Sequence, residues 1–246
     1  MEENKIIIDK IFSKMKFYEL RLNLSGKGRK SSYIAGPSPG YFPNGNQGDI
    51  PLDEFVNEVD IVFDKLIFSE GKRVHVTDFI SHDGVNGLGY VISERIKNLL
   101  QDFNLPEHRF YKLPLYQDSR GKQHQYYKLH MLQYYFDYSL IDFEKSSFYI
   151  GDFFKKNKKI IKYQNEQELI IKLKNLDDLE ERIWGNKIVL NHNYEKQGLD
   201  CFHIHHFSDD FIISERLRES LEQIEATGIN YEECSFECKG IVSFRN

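Results

Sequence analysis

A stretch that occurs twice constrains this chain most. Residues 211–231 read FIISERLRESLEQIEATGINY, and residues 90–110 read YVISERIKNLLQDFNLPEHRF. At one fixed offset Ile92, Ser93, Glu94, Arg95 and Leu100 recur as Ile213, Ser214, Glu215, Arg216 and Leu221. Conservative exchanges fill the rest: Ile96 becomes Leu217, Lys97 becomes Arg218, Phe103 becomes Ile224 and Phe110 becomes Tyr231. Each copy reads as a strand end, a helix, a short turn and a new strand. Ser93 and Ser214 are suited to N-capping, because a serine hydroxyl accepts a hydrogen bond from an orphaned amide of the first turn. Glu94 and Glu215 follow where a negative charge favours a helix N-terminus. Ile96, Leu99, Leu100 and Phe103 make one apolar stripe, repeated by Leu217, Leu221 and Ile224. Pro106 is expected to end the first helix and Gly228 to supply the left-handed residue that ends the second. A catalytic serine with an ion pair is the competing reading of S-E-R; capping is preferred.

The pattern predicts an α+β fold of two pseudo-repeated strand–helix–strand units with a mostly antiparallel sheet. The expected divisions are residues 1–70, an N-terminal strand and long loop; 71–154, the first unit; and 155–246, the second, together forming one compact domain. Tyr18, Glu19, Leu20, Arg21, Leu22, Asn23 and Leu24 alternate as a half-buried strand should. Residues 25–50, rich in Gly, Pro, Ser and Asn, read as a long loop. Their GKGRKSS start lacks phosphate-loop spacing. Residues 52–68 fit a helix, or a helix and then a strand. Strands are expected over 73–80, 110–115, 126–132, 141–150, 187–190 and 241–244. Leu169, Leu173, Leu176 and Ile183 suit a helix, although 169–173 fits a strand equally.

Length and charge narrow the function classes. The chain has 246 residues and a formal net charge of −5, which argues against a nucleic-acid backbone as partner. The lysine cluster at 155–159 reads as a solvated linker, with no aromatic platform interleaved. Three cysteines, Cys201, Cys234 and Cys238, are too few for a disulfide scaffold and read as reduced thiols of a cytosol-like compartment. No signal peptide and no membrane helix are expected.

One cluster has the chemistry of a metal site. In CFHIHH, residues 201–206, strand alternation would put Cys201, His203 and His205 on one face, with Asp209 or Asp210 to complete a zinc set. The alternative is an ordinary strand with Phe202 and Ile204 inward and a polar outer face. That reading is preferred, and no cofactor or catalytic residue is assigned. Cys234 and Cys238 lack a second pair for zinc. The adjacent carboxylates Asp177-Asp178, Glu180-Glu181 and Glu232-Glu233 do not converge on one point if helical.

The strand ending V-I-S-E-R with its helix at 91–100, the Y-Y-K-L-x-x-L strand at 126–132 and I-D-F-E-K-S at 141–146 resemble the immunity proteins of bacterial polymorphic toxin systems. They are similar to the Immunity protein 11 group and the related Immunity protein 43 group, with 211–231 as the best-matching stretch. The resemblance runs from residue 73 to the C-terminus, and the first seventy residues match nothing. It implies a cytoplasmic protein that binds and neutralises a cognate toxin by direct occlusion, is not an enzyme, and binds neither nucleic acid nor membrane. It carries over no functional residue. A small metal protein or enzyme using Cys201, His203 and His205 is the alternative. Tyr33, Tyr41 and Phe42 in the long loop are the first candidates for toxin contact. The acidic stretches 177–181 and 219–225 are candidates to meet a basic toxin.

Overall fold

The computed structural model describes residues 15–23, 30–31, 34–35, 40–41, 61–62, 66–68, 74–75, 77–80, 90–117, 122–131, 138–152, 158–176, 181–204 and 210–238. In chain order the elements are β1 (Met15–Leu22), β2 (Lys30–Ser31), β3 (Ile34–Ala35), β4 (Gly40–Tyr41), β5 (Ile61–Val62), β6 (Leu66–Phe68), β7 (Val74–His75) and β8 (Phe79–Ile80). Then come β9 (Val91–Ser93), α1 (Glu94–Leu100), β10 (His108–Gln117), β11 (Lys122–Met131), a 3-10 turn at Tyr138–Leu140, β12 (Ser147–Asp152) and β13 (Lys159–Ile161). The chain continues through α2 (Glu166–Lys174), β14 (Glu181–Leu190), α3 (His192–Gln197), β15 (Cys201–Phe202), β16 (Phe211–Ser214), α4 (Glu215–Gln223) and β17 (Ile229–Cys238).

The architecture is α+β, with mostly antiparallel sheets. One sheet has the order β13-β12-β14-β17-β1-β16-β15, another β3-β6-β10-β11-β9-β8, and two pairs, β2-β7 and β4-β5, stand apart. Both large sheets place a two-residue strand beside the strand that leads into an S-E-R helix: β8 against β9 and β15 against β16, each antiparallel. Both also carry a strand parallel to the one that follows the helix, β6 beside β10 and β14 beside β17. Between those positions the sheets differ. In one, β11 returns from β10 as a hairpin, with Leu113 opposite Tyr126 and His108 opposite Met131. In the other the same place is taken by β1, from the other end of the chain.

Two compact units divide the chain. One comprises residues 1–19, 136–216 and 232–246, and the other 20–135 and 217–231. The first is built around Phe17, Phe148, Leu169, Ile188, Tyr194, Phe202 and Ile212. Phe17, Tyr194 and Phe202 form an aromatic triad with centroids 5.6–5.8 Å apart and edge-on geometry, the arrangement the ring quadrupole favours. Helix α2 settles the ambiguity of residues 169–173: Leu169 is its buried residue, and Asn165 caps it by accepting from the Glu168 amide at 3.0 Å. The Glu168 carboxylate reaches back to the Gln164 amide. Ile183 belongs to β14, not to that helix.

In the second unit β11 is buried on both faces from Tyr126 to Met131. Tyr127 and Leu129 face α1, where the Lys97 ammonium lies 4.2 Å from the Tyr127 ring centroid. The opposite face holds Lys128 and His130, both fully buried. Burial brings the Lys128 ammonium down to about 7, because removal from water disfavours the charged form.

Several expectations are corrected. Residues 25–50 are not simply a loop: their described parts form β2, β3 and β4, each paired to a later strand. The described parts of 52–68 are the strands β5 and β6, which fits the second alternative given for that stretch, a helix and then a strand; residues 52–60 lie outside the described residues. The first helix ends at Leu100, well before Pro106. The second ends on Glu225, not Gly228. Glu225 has φ 53°, and the Ala226 amide reaches the Leu221 carbonyl while the Glu225 amide reaches Glu222, the paired bonds of a left-handed helix stop. The expected strand at 241–244 lies outside the described residues.

Gly228 does a different job. Its φ is +90°, and a Cβ there would stand 2.3 Å from the Phe79 carbonyl oxygen and 3.0 Å from the Thr77 side chain. Its own carbonyl accepts from the Asn23 amide at 2.9 Å. Gly228→Ala therefore combines a strained backbone with a backbone clash. It is expected to lower stability by more than about 1 kcal/mol, read as a clear drop in melting temperature; an unchanged melt would contradict this packing.

Candidate functional site

The two S-E-R sequences build the same polar cluster. In the first, Asp78, the residue before β8, is 6% exposed. Its Oδ1 accepts from the Ser93 hydroxyl at 2.9 Å and from Arg95 Nε at 2.6 Å. Its Oδ2 accepts from Arg95 Nη2, so the guanidinium is bidentate. In the second, Asp200, the residue before β15, accepts from the Ser214 hydroxyl at 2.7 Å and from Arg216 Nε at 3.2 Å on Oδ1, and from Arg216 Nη2 on Oδ2. Backbone bonds match as well. The Ser93 amide reaches the Asp78 carbonyl, and the Ser214 amide the Asp200 carbonyl, both at 2.8 Å. A planar guanidinium fits a carboxylate in this way because its donors form a rigid fork.

The capping assignment is corrected by this geometry. Ser93 has an extended backbone at the start of α1, yet its side chain makes no cap bond. Its hydroxyl and that of Ser214 donate to an aspartate instead. The physical reason is that a buried carboxylate lowers its desolvation cost by collecting charge-assisted bonds.

The first cluster extends further. The Thr227 amide and hydroxyl donate to Asp78 Oδ2 at 2.9 and 2.7 Å, and the Asp78 amide donates to the Thr227 hydroxyl at 2.9 Å. Arg95 also reaches the Ile224 carbonyl at 3.0 Å and the Glu225 carbonyl at 3.3 Å. Arg95 thus sits on the last turn after α4, where carbonyls are left without helical partners. Burial alone raises the Asp78 pKa, but the hydrogen bonds from Arg95, Thr227 and Ser93 outweigh it and bring the carboxyl down to about 2. So weak a base is poorly matched to take a proton from serine near neutral pH. The contacts tie the residue before β8 to the end of β9 and to α1.

Of the metal candidates, Cys201, His203 and Asp210 are among the described residues. Cys201 is buried beside Phe202, and Ile204 is buried as well, so the expected polar outer face of this strand is absent at Cys201. The strand stops at Phe202. Burial, with the neighbouring Asp200, pushes the Cys201 thiol up, away from the thiolate that binds zinc. His203 stands edge-on to Phe211, with centroids 6.0 Å apart. His205 and Asp209 lie outside the described residues, and among the described residues no three His, Cys, Asp or Glu side chains are grouped to hold a metal.

Of the contact candidates, Tyr33 and Phe42 lie outside the described residues, and Tyr41 is in β4 opposite Ile61. Of the acidic stretches, 177–180 is outside the described residues, and Glu181 pairs with Lys172 at 3.3 Å. On α4 Glu219 and Glu222 are exposed, with Arg218 bonded to Glu222 at 2.7 Å.

Residues 16–180 match the Immunity protein family (Imm11). The chain belongs to that family. Among curated proteins none matches the chain. The Imm11 match begins within β1, so it takes in residues 16–70, which sequence resemblance had left unassigned. It ends before residues 211–231, which had looked like the best-matching stretch. Within the Imm11 match lies the first cluster, Asp78, Ser93 and Arg95, whereas the second lies beyond it. No helix among the described residues is long and apolar enough to cross a membrane.

Two outcomes follow from the clusters. Ser93→Ala and Ser214→Ala each remove one hydrogen bond to a buried carboxylate and are expected to cost about 1 kcal/mol; denaturant melts check this. The depressed Asp78 carboxyl contributes stability that is fully present above about pH 4 and is lost as pH falls towards 2. With the Arg95 side chain half-exposed, the loss is about 1–2 kcal/mol. Melts at pH 7, 4 and 3 should show it, and Asp78→Asn should flatten the profile over that window.

Proposed function

We propose that this protein binds a cognate bacterial toxin and neutralises it by covering the toxin's working surface, turning over no substrate of its own. Membership of an immunity family over residues 16–180 carries the reading. Such a protein acts in stoichiometric complex, so its chemistry is that of an interface: a few central aromatic or arginine anchors inside a polar rim, over about 1,600 Å² in total. It belongs in the compartment where the toxin acts, the cytoplasm of a bacterium carrying a polymorphic toxin system. The aspartate clusters fit a supporting role in this scheme, as rigid elements under a recognition surface. Tyr33, Tyr41 and Phe42 remain proposed contacts, as does the acidic face of α4 at Glu219 and Glu222.

The test is to express the toxin domain encoded beside this gene, with and without the protein. Survival with it, and a 1:1 complex on a sizing column, are expected. Continued killing at excess of this protein, with no complex, would end the reading. Neutralisation at a small fraction of one equivalent would point to an enzyme instead.

A further inference from the structure

The far edge of the seven-stranded sheet carries a surface that composition does not foretell. Strand β13 is the edge strand, with Phe148, Tyr149 and Ile150 of β12 opposite its Ile161, Ile160 and Lys159. An edge strand offers a row of unpaired backbone donors and acceptors to another chain. Beside it, a groove of about 430 Å³ is lined by Ile150, Ile161, Tyr163 and Ile171, with Lys162, Glu168 and Lys172 among its polar lining. Ile171, on α2, is 60% exposed, and Ile160, on the opposite face of the sheet, is 62% exposed. Tyr163 is 6% exposed, and its buried hydroxyl has no hydrogen-bond partner among the described residues. Both faces of the edge strand thus offer apolar contact.

The charge at this edge identifies the occupant. Lys158, Lys159 and Lys162 are exposed along it, and Lys158 lies 4.8 Å from the Tyr149 ring centroid. This local basic character is opposite in sign to the chain's net −5. A second copy would bring the same lysines against these, which disfavours self-pairing. An acidic strand meets no such barrier.

We infer that β13 and the groove beneath it dock an extended acidic segment of the toxin, which adds a strand to the sheet edge and places one large apolar side chain against Ile161 and Ile171. The inference rests on the immunity reading above and names the partner surface within it. Strand addition takes affinity from main-chain bonds and specificity from alternate side chains. Here one set enters the groove, and the other crosses Ile160 on the opposite face. The lysines steer the segment over about a Debye length and set which sequence is accepted.

The experiment uses the full chain and the toxin domain encoded beside its gene. Ile160→Asp, Ile171→Asp and the double variant Lys159→Glu/Lys162→Glu change exposed side chains, so their melts should stay near wild type. Each is expected to weaken the complex by at least about tenfold, and the wild-type complex should protect the amides of residues 159–161 from hydrogen exchange. Wild-type complex formation with all three variants within about twofold, or with those amides unprotected, overturns the docking site and leaves the immunity reading standing. A wild-type chain that forms no complex overturns both.

Discussion

A buried carboxylate held by an arginine fork fixes where each S-E-R helix starts. Asp78 and Asp200 precede short strands at a sheet edge, and each gathers the serine hydroxyl and the guanidinium of the motif. An aspartate left in such a place without partners would be costly to ionise. With the serine, the fork and the backbone bond beside them, it locks strand, turn and helix together. At Asp78 the lock also reaches Thr227, and Gly228 permits the close approach by having no Cβ.

The fold class was legible, because capping-type residues and apolar stripes recur at one offset. The aspartates were not. Asp78 lies 15 residues before Ser93, but Asp200 lies 14 before Ser214. At the offset that aligns the serines the acids fall out of register by one, since a connecting loop absorbs the difference. Serine followed by glutamate is also an ordinary helix start, so the local signal pointed to a cap while a longer-range contact took the hydroxyl. Lys128 and His130 were missed for a related reason. Charged residues alternating in a strand suggest an outer face, yet both faces of β11 are covered.

The proposed docking edge was the least legible part. Lysines at 155–159 read as a solvated linker, and nothing in their composition places Ile160 on a sheet edge or Ile171 over a groove beside it. That needs the pairing of β13 with β12 and the position of α2. The aromatic residues of the N-terminal region attract attention in sequence because they are large, but large side chains serve cores as readily as interfaces. The proposed docking edge instead combines an edge strand, one exposed isoleucine on either face and a local charge opposite to that of the whole chain.

The central physical claim is that the aspartate–arginine pair is a structural lock rather than a surface ion pair. A double-mutant cycle of Asp78→Ala and Arg95→Ala, read by denaturant melts at pH 7, tests it most directly. The account predicts strongly non-additive losses, with a coupling of about 1–3 kcal/mol because each single variant leaves a partner stranded. Additive losses within about 0.3–0.5 kcal/mol would show that the two side chains merely lie near each other, and would contradict it.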